Sequence, residues 1–264
     1  MVTVSAKDVQ TLRRATGAGM LDSKRALEEN DGDMERAKLW LREQGLAGAA
    51  KRSDREATQG AVAIGEAGRS TSIVELRCET DFVAMSDAFV SLTKELAQAV
   101  AEKGESAAAD GAGDIDELKT TLKENISLGP VVRFELADDS VLGTYLHMQS
   151  GRGVNAVLVE MRGGTDELAH DVAVHIAFAR PTYLRREDVP DAEVTAEKAT
   201  VEAISRNEGK PEAALPKVVE GRMNGWFKDR VLLEQPYAKD EKRTIADLIG
   251  SAEIVRFAQV IVGG

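Results

Sequence analysis

The 264-residue chain has little of three things that would point to particular classes of protein. Cys78 is its single cysteine, which excludes an intramolecular disulfide and indicates a reducing compartment. No apolar run approaches the roughly 18 residues that a spanning helix requires, and the first residues lack the basic-then-apolar plan of a signal peptide. These absences predict a cytoplasmic protein with no membrane association.

Histidine is also scarce, and its placement argues against a metal site. The three histidines are His147, His170 and His175. The last two are five residues apart on one predicted helix, about 140° apart around its axis, whereas residues at i and i+4 share a face. We therefore expect no bound metal.

Familiar catalytic and nucleotide-binding motifs are missing as well. There is no G-x-S-x-G elbow, and Cys78 lies in a strand pattern typical of a small buried side chain. An enzyme using Cys78 with His147 remains an alternative. The glycines of residues 17–19 precede Lys24 without the strand and the adjacent glycine that a phosphate-binding loop needs. We expect no cofactor and no covalent chemistry.

What the chain has in quantity is acidic charge, distributed unevenly. Hydrophobic residues at 43% and charged residues at 30% are typical of a soluble globular protein. Residues 1–55 contain 11 Lys and Arg against 9 Asp and Glu, and the remainder contains 23 against 36. An acidic body of this kind repels nucleic acid phosphates. The balance favours a protein partner and no direct nucleic acid contact.

Helical periodicity dominates the start of the chain. Residues 1–46 are predicted to form a module of three short helices, with glycine-containing breaks at residues 17–19 and 31–33 and an end at Gly45. Residues 47–59 then form a linker, and their Ala, Lys, Arg and Glu content favours a solvated helical spacer.

Strand and helix patterns alternate after this linker, which predicts an α+β fold with antiparallel sheets in a core of two subdomains. One strand pair is predicted as a β-hairpin within residues 131–148. The predicted segments are an N-subdomain at 60–138 with helices at 87–103 and 115–126, the first part of a C-subdomain at 139–183, an inserted antiparallel helical hairpin at 184–227, and the closing part of the C-subdomain at 228–264.

Two pairs of apolar residues fall in predicted loops. Met20 and Leu21 follow the first glycine break, and Phe82 and Val83 follow a strand. Apolar residues on loops often mark a recognition surface. For Phe82 the pattern leaves a second interpretation equally open, that of a core plug at the start of the helix beginning at Asp87.

Seven motifs, in this order along the chain, resemble the bacterial translation elongation factor Ts family. They are T-G-A-G-M-L-D-S-K-R-A-L at 16–27, C-E-T-D-F-V at 78–83, Y-L-H at 145–147, V-H-I-A-F-A-R-P at 174–181, E-G-R-M at 220–223, Q-P-Y at 235–237 and I-V-R-F at 254–257. The resemblance covers essentially the whole chain, and the combination of G-A-G-M with T-D-F-V is highly specific.

The resemblance implies a nucleotide exchange factor that binds the GTPase elongation factor Tu and acts at its magnesium and phosphate site. The site residues that it implies are Thr80, Asp81, Phe82 and Val83 in the motif that enters the GTPase, Arg13, Met20 and Leu21 in the N-terminal module, and His147 on the core surface.

The N-terminal module also resembles ubiquitin-associated modules, which leaves an alternative function: an adaptor that binds ubiquitin-like folds without exchange activity. In some family members the counterpart of the 184–227 hairpin supports dimerisation. Two departures from the family are expected to matter. No further helical module follows the last predicted strand, so its contacts would be missing, and residues 148–153 differ from the loop that normally follows His147.

Overall fold

The computed structural model describes residues 4–16, 18–50 and 54–264, with the backbone alone for residues 46–50. Gly17 of the predicted first break and residues 51–53 of the predicted linker lie outside the described residues. The architecture is α+β. Two compact units are present: Met1–Arg133 with Met148–Val154 and Val260–Gly264, and Phe134–His147 with Asn155–Gln259.

Three helices open the first unit: α1 (Ala6–Thr16), α2 (Met20–Glu29) and α3 (Met34–Ala50). The Ser5 hydroxyl accepts a hydrogen bond from the amide of Asp8 at 3.1 Å, as expected at a helix start. The helices pack around one apolar cluster. Its buried members are Val9, Leu12, Ala26, Leu27, Ala37 and Leu41.

An antiparallel strand pair, several helices and most of a third strand follow in the first unit. The elements are β1 (Gln59–Ala67), β2 (Ser70–Cys78), α4 (Asp81–Ala84), α5 (Asp87–Lys103), α6 (Ala107–Asp110), α7 (Ala112–Leu122) and β3 (Ser127–Glu135). β1 and β2 pair with Ile64 opposite Ile73. Phe89, Leu92, Leu96 and Val100 form an apolar stripe along α5, and all four are buried in the core cluster of this unit.

α5 lies very close to β1 at Gly65. A Cβ atom added to Gly65 would be 2.3 Å from the carbonyl oxygen of Ala97, far inside van der Waals contact. Glycine is therefore required for this strand and this helix to pack at their observed separation. The strand pair and α5 form the frame that carries the chain between Cys78 and Asp87.

Two predicted helix ends are wrong. α3 does not stop at Gly45 but continues to Ala50. Gly45 marks a contact instead, because a Cβ atom there would be 2.3 Å from Cγ2 of Thr120 in α7. The helix predicted at 115–126 ends at Leu122, where Lys123 adopts a left-handed conformation with φ of 59°. Ile126 lies beyond this turn and is fully buried in the core.

The second unit contains the remaining elements. They are the greater part of β4 (Ser140–Gln149) and β5 (Arg152–Arg162), α8 (Asp166–Ala179), α9 (Asp191–Asn207), α10 (Leu215–Arg230), β6 (Pro236–Tyr237), β7 (Asp240–Thr244), α11 (Ile245–Ile249) and most of β8 (Glu253–Ile261). β5 pairs with both β4 and β8, and β3 pairs with β2. The predicted hairpin between β3 and β4 is therefore wrong.

The core of the second unit lies between β5 and α8. Val157, Val159, Val172 and Ile176 are fully buried there. His175 is buried beside them, where one ring nitrogen lies 3.0 Å from the Gln235 side-chain oxygen and the other accepts from the Ala238 amide. Burial lowers the pKa of His175, so this histidine is a neutral structural residue.

α9 and α10 pack against each other through a smaller apolar cluster in the same unit. Val201 of α9 and Val219 and Met223 of α10 are buried members of this cluster. Aromatic residues at the end of α10 take part as well, and the guanidinium of Arg230 lies 4.6 Å from the centroid of the Trp226 ring.

Candidate partner-binding site

The T-D-F-V motif forms the turn between β2 and α4. β2 ends at Cys78, and Thr80 is the N-cap of α4, with its hydroxyl accepting a hydrogen bond from the amide of Val83 at 3.4 Å. Threonine suits this position because its side chain satisfies an amide that has no partner in the helix. The chain leaves the strand and starts the helix within two residues.

The two halves of the motif face in opposite directions. Asp81 and Phe82 point into solvent, and the Phe82 side chain is 81% exposed. Val83 packs against the core cluster of the first unit, and Ala84 is fully buried. The interpretation of Phe82 as a core plug is therefore wrong: α4 anchors the turn through Val83 and Ala84 and presents the ring of Phe82 outwards.

A reciprocal pair of carboxylates holds this turn from the side. The Glu124 carboxylate accepts hydrogen bonds from the amides of Glu79 and Thr80 at 3.1 and 3.0 Å, and from the Thr80 hydroxyl at 2.5 Å. In return, the Glu79 carboxylate accepts from the amide of Asn125 at 2.7 Å and pairs with Arg55. We call this arrangement of Glu79, Thr80, Glu124 and Asn125 the carboxylate clasp.

Sequence reasoning missed Glu124 because nothing local marks it. It lies 44 residues from Thr80, immediately after the left-handed Lys123 that ends α7. An acidic residue after a helix is ordinarily solvated, so only the fold reveals its role. Glu79 lies inside the C-E-T-D-F-V motif, so the sequence could indicate a role for it. The sequence could not indicate Glu124, the other carboxylate of the pair.

Cys78 lies directly beneath the turn and is fully buried. Its thiol donates a hydrogen bond to the carbonyl of Thr80 at 3.2 Å. Burial, with a smaller contribution from the Glu124 carboxylate, raises the pKa of the Cys78 thiol to about 12. A thiol in this state is a poor nucleophile, so the geometry argues against an enzyme built on Cys78.

The buried thiol gives a direct prediction for chemical reactivity. At pH 8 we expect Cys78 in the folded protein to react with iodoacetamide about a thousandfold more slowly than an ordinary thiol, because its thiolate is scarcer by about that factor and is shielded. Mass spectrometry of timed samples measures the rate, and the same protein in denaturant is the control. Equal rates in the folded and unfolded protein would contradict this assignment.

The N-terminal helices present a further exposed apolar surface in the first unit. Met20 and Leu21 begin α2 and are 54% and 82% exposed, and Arg13 is exposed on α1. Next to them, Asp22 pairs with Lys123 at 2.7 Å. Lys123 and Glu124 are adjacent, so the turn after α7 contacts both predicted recognition segments: the start of α2 and the T-D-F-V turn.

His147 belongs to the second unit. It is exposed near the end of β4, and its ring is stacked on that of Tyr145 at a centroid distance of 6.3 Å. The Tyr145 hydroxyl lies 3.3 Å from Nδ1 of His147. This contact holds the imidazole at the surface in a defined orientation.

Neither a metal site nor a membrane span is found in the part of the chain that the structure describes. There, no group of three or more His, Cys, Asp or Glu side chains is arranged to hold a metal ion. No helix within the described ranges is long and apolar enough to cross a membrane.

Comparisons with known proteins agree with the seven motifs. The family model described as elongation factor TS matches residues 79–264. Curated relatives named elongation factor Ts, from Clavibacter sepedonicus and Kineococcus radiotolerans, are each 44% identical over 277 aligned residues that cover both chains completely, and one from Streptomyces griseus is 42% identical over 280. The chain therefore belongs to the elongation factor Ts family, and this membership implies the role of a nucleotide exchange factor for elongation factor Tu in translation elongation.

Proposed function

We propose that this chain binds elongation factor Tu in its GDP-bound form and releases the nucleotide by inserting Phe82, with Asp81 beside it, next to the partner's magnesium and phosphate site. One observation carries the proposal: Phe82 is 81% exposed, although the residues that follow it are anchored in the core. A large apolar side chain that is held rigidly in solvent is suited to enter a pocket on another protein.

An exchange factor of this kind works by differential binding and makes or breaks no covalent bond. If it binds the nucleotide-free partner more tightly than the loaded one, linkage requires that it weaken nucleotide binding by the same factor. A coupling of about 4 to 6 kcal/mol corresponds to about three to four decades in affinity. The role therefore requires a well-shaped protein surface and no catalytic group.

Magnesium is a suitable target for such a surface. The ion demands near-ideal octahedral geometry, so a small displacement of the partner's backbone weakens its coordination. Burial of the Phe82 ring contributes about 2 kcal/mol, which offsets part of the cost of that displacement. The carboxylate of Asp81 adds negative charge beside the phosphates or competes for their backbone donors.

Other residues of the site contribute around Phe82, which we call the wedge. Thr80 and Val83 fix the turn, and two further surfaces contact the partner, one formed by Arg13, Met20 and Leu21 and the other by His147. The N-terminal module is of the ubiquitin-associated type. α9 and α10 form an antiparallel hairpin that supports a homodimer.

Release of a fluorescent GDP analogue from elongation factor Tu tests the proposal. Addition of the chain is expected to accelerate release severalfold at substoichiometric amounts and by orders of magnitude at saturation. Release at the intrinsic rate in the presence of saturating chain would overturn the exchange function. If residues 1–50 alone bound the partner with most of the full affinity, an adaptor function would replace it.

A further inference from the structure

We infer that Glu124 is a positioning residue for nucleotide exchange: its carboxylate holds the turn at residues 79–80 in the one orientation that presents Phe82 to the partner. The inference rests on the proposed function and deepens it. It concerns a residue outside the T-D-F-V motif, in the turn between α7 and β3 of the first unit.

Several hydrogen-bond donors converge on the one carboxylate of Glu124. Glu124 accepts three hydrogen bonds, all from two consecutive residues, Glu79 and Thr80. The amides of these residues lie between the end of β2 and the start of α4 and bond to Glu124, while the carbonyl of Thr80 accepts the first helical hydrogen bond, from the amide of Ala84. Hydrogen bonds to an ionised acceptor are roughly twice as strong as neutral ones, so the Glu124 carboxylate is a strong restraint on these two amides.

α4 is too short to be stable on its own. It contains four residues, and a helix of this length has no independent stability in water. Its C-terminal half is fixed by Val83 and Ala84 in the core. Its N-terminal half, which carries Asp81 and Phe82, is fixed through Thr80. Loss of the Glu124 carboxylate therefore frees the end that carries the wedge.

The carboxylate clasp also acts in the opposite direction, from the turn before α4 to the turn after α7. The Glu79 carboxylate binds the amide of Asn125, so the turn after α7 and the turn before α4 each supply a carboxylate and amide groups to the other. Glu124 is half-buried, whereas the neighbouring Lys123–Asp22 ion pair is exposed. Exposed ion pairs contribute little, so the hydrogen bonds of the Glu124 and Glu79 carboxylates are the main connection between the turn after α7 and the turn before α4.

The experiment measures the maximal rate of GDP-analogue release at saturating factor for the full-length wild-type chain, Glu124→Ala, Glu124→Gln, Phe82→Ala and the double variant Phe82→Ala/Glu124→Ala. Glu117→Ala is the matched control, because Glu117 is an exposed glutamate on α7. Glu124→Ala is expected to lower the maximal rate about tenfold, with less than about a threefold change in the half-saturating concentration. The control is expected to match the wild type.

Two further results separate positioning from a general loss of structure. Glu124→Gln retains an acceptor for both amides and is expected to stay within about threefold of the wild type. The double variant is expected to equal Phe82→Ala, because a residue that acts only through the wedge has no effect once the wedge is gone. Hydrogen exchange at the amides of Glu79 and Thr80 is expected to accelerate in Glu124→Ala while the buried amides of α5 stay protected.

Several outcomes would overturn the inference. An unchanged maximal rate in Glu124→Ala would do so, as would effects of Phe82→Ala and Glu124→Ala that multiply in the double variant. Loss of hydrogen-exchange protection throughout α5 in Glu124→Ala would show that Glu124 is needed for folding and not specifically for positioning Phe82. If the wild-type chain itself gives no acceleration, the proposed function fails first, and the role of Glu124 in exchange fails with it.

Discussion

Replacement of Phe82 with alanine is expected to reduce the acceleration of GDP release by about 10- to 30-fold. The ring is 81% exposed in the free chain, and the proposed complex would bury it, so its loss is expected to remove about 2 kcal/mol of apolar burial from that complex. Stability of the free protein is expected to change little, because an exposed side chain contributes little to the core. Stopped-flow release of a fluorescent GDP analogue and thermal unfolding measure the two quantities.

Phe178 offers a matched control for this substitution. It lies on α8 of the second unit and is 78% exposed, almost the same fraction as Phe82. Phe178→Ala removes the same ring at a similar exposure and is expected to leave exchange much closer to the wild-type rate. A Phe82→Ala protein that accelerates release as well as the wild type would refute the wedge.

Substitution of Gly65 is expected to have the largest effect on stability. Even a methyl group at this position would lie 2.3 Å from the carbonyl oxygen of Ala97, and a backbone atom within a helix has little freedom to move aside. Gly65→Ala therefore forces α5 away from β1 and is expected to cost about 3 kcal/mol. The chain between β2 and α5 carries Phe82, so exchange activity is expected to fall as well.

Gly113 provides a control with the opposite sign. It lies in the first turn of α7, and apart from the adjoining chain of α7 no atom of the described residues lies within 4 Å of a Cβ atom added there. Gly113→Ala is expected to stabilise the protein by about 0.5 to 1 kcal/mol, because alanine loses less backbone entropy on helix formation. Urea unfolding of both variants measures the difference. A Gly65→Ala protein as stable as the wild type would show that α5 and β1 are not packed as described.

Local patterns in the sequence predicted the structure correctly where the residues of a single element determine it. The helix predicted at residues 87–103 has those bounds in the structure, because its apolar stripe is complete and Gly104 ends it. Thr165 caps α8 in a similarly local way, because its hydroxyl accepts a hydrogen bond from the amide of Leu168, three residues further on. Cys78 is buried, as its strand pattern indicated.

The errors arose where distant residues decide the outcome. Gly45 resembled a helix end but allows α3 to approach Thr120, which is 75 positions away. β3 and β4 are neighbours in sequence, yet β3 pairs with β2 and β4 with β5. Phe82 faces solvent because its neighbours Val83 and Ala84 are the residues that pack in the core. Hydrophobic periodicity over four residues cannot predict which of these side chains will be buried.

The same limit explains how much of the candidate site was predicted. The exposed pair Met20 and Leu21 and the outward Phe82 were identified because apolar residues in loops are conspicuous. Glu124 was not identified, because an acidic residue after a helix is usual, and its hydrogen bonds to Thr80 form only when the turn after α7 lies beside the turn before α4.

Reciprocal competition between this chain and GDP is the most direct test of the central claim. The measurement is the dissociation constant for elongation factor Tu, by titration calorimetry, with nucleotide-free partner and again with saturating GDP and magnesium. The account predicts affinity weaker by about a thousandfold or more with GDP, since linkage transfers the full coupling of about 4 kcal/mol to either ligand. Dissociation constants that agree within about threefold would contradict it, because a protein that binds both forms equally cannot release the nucleotide.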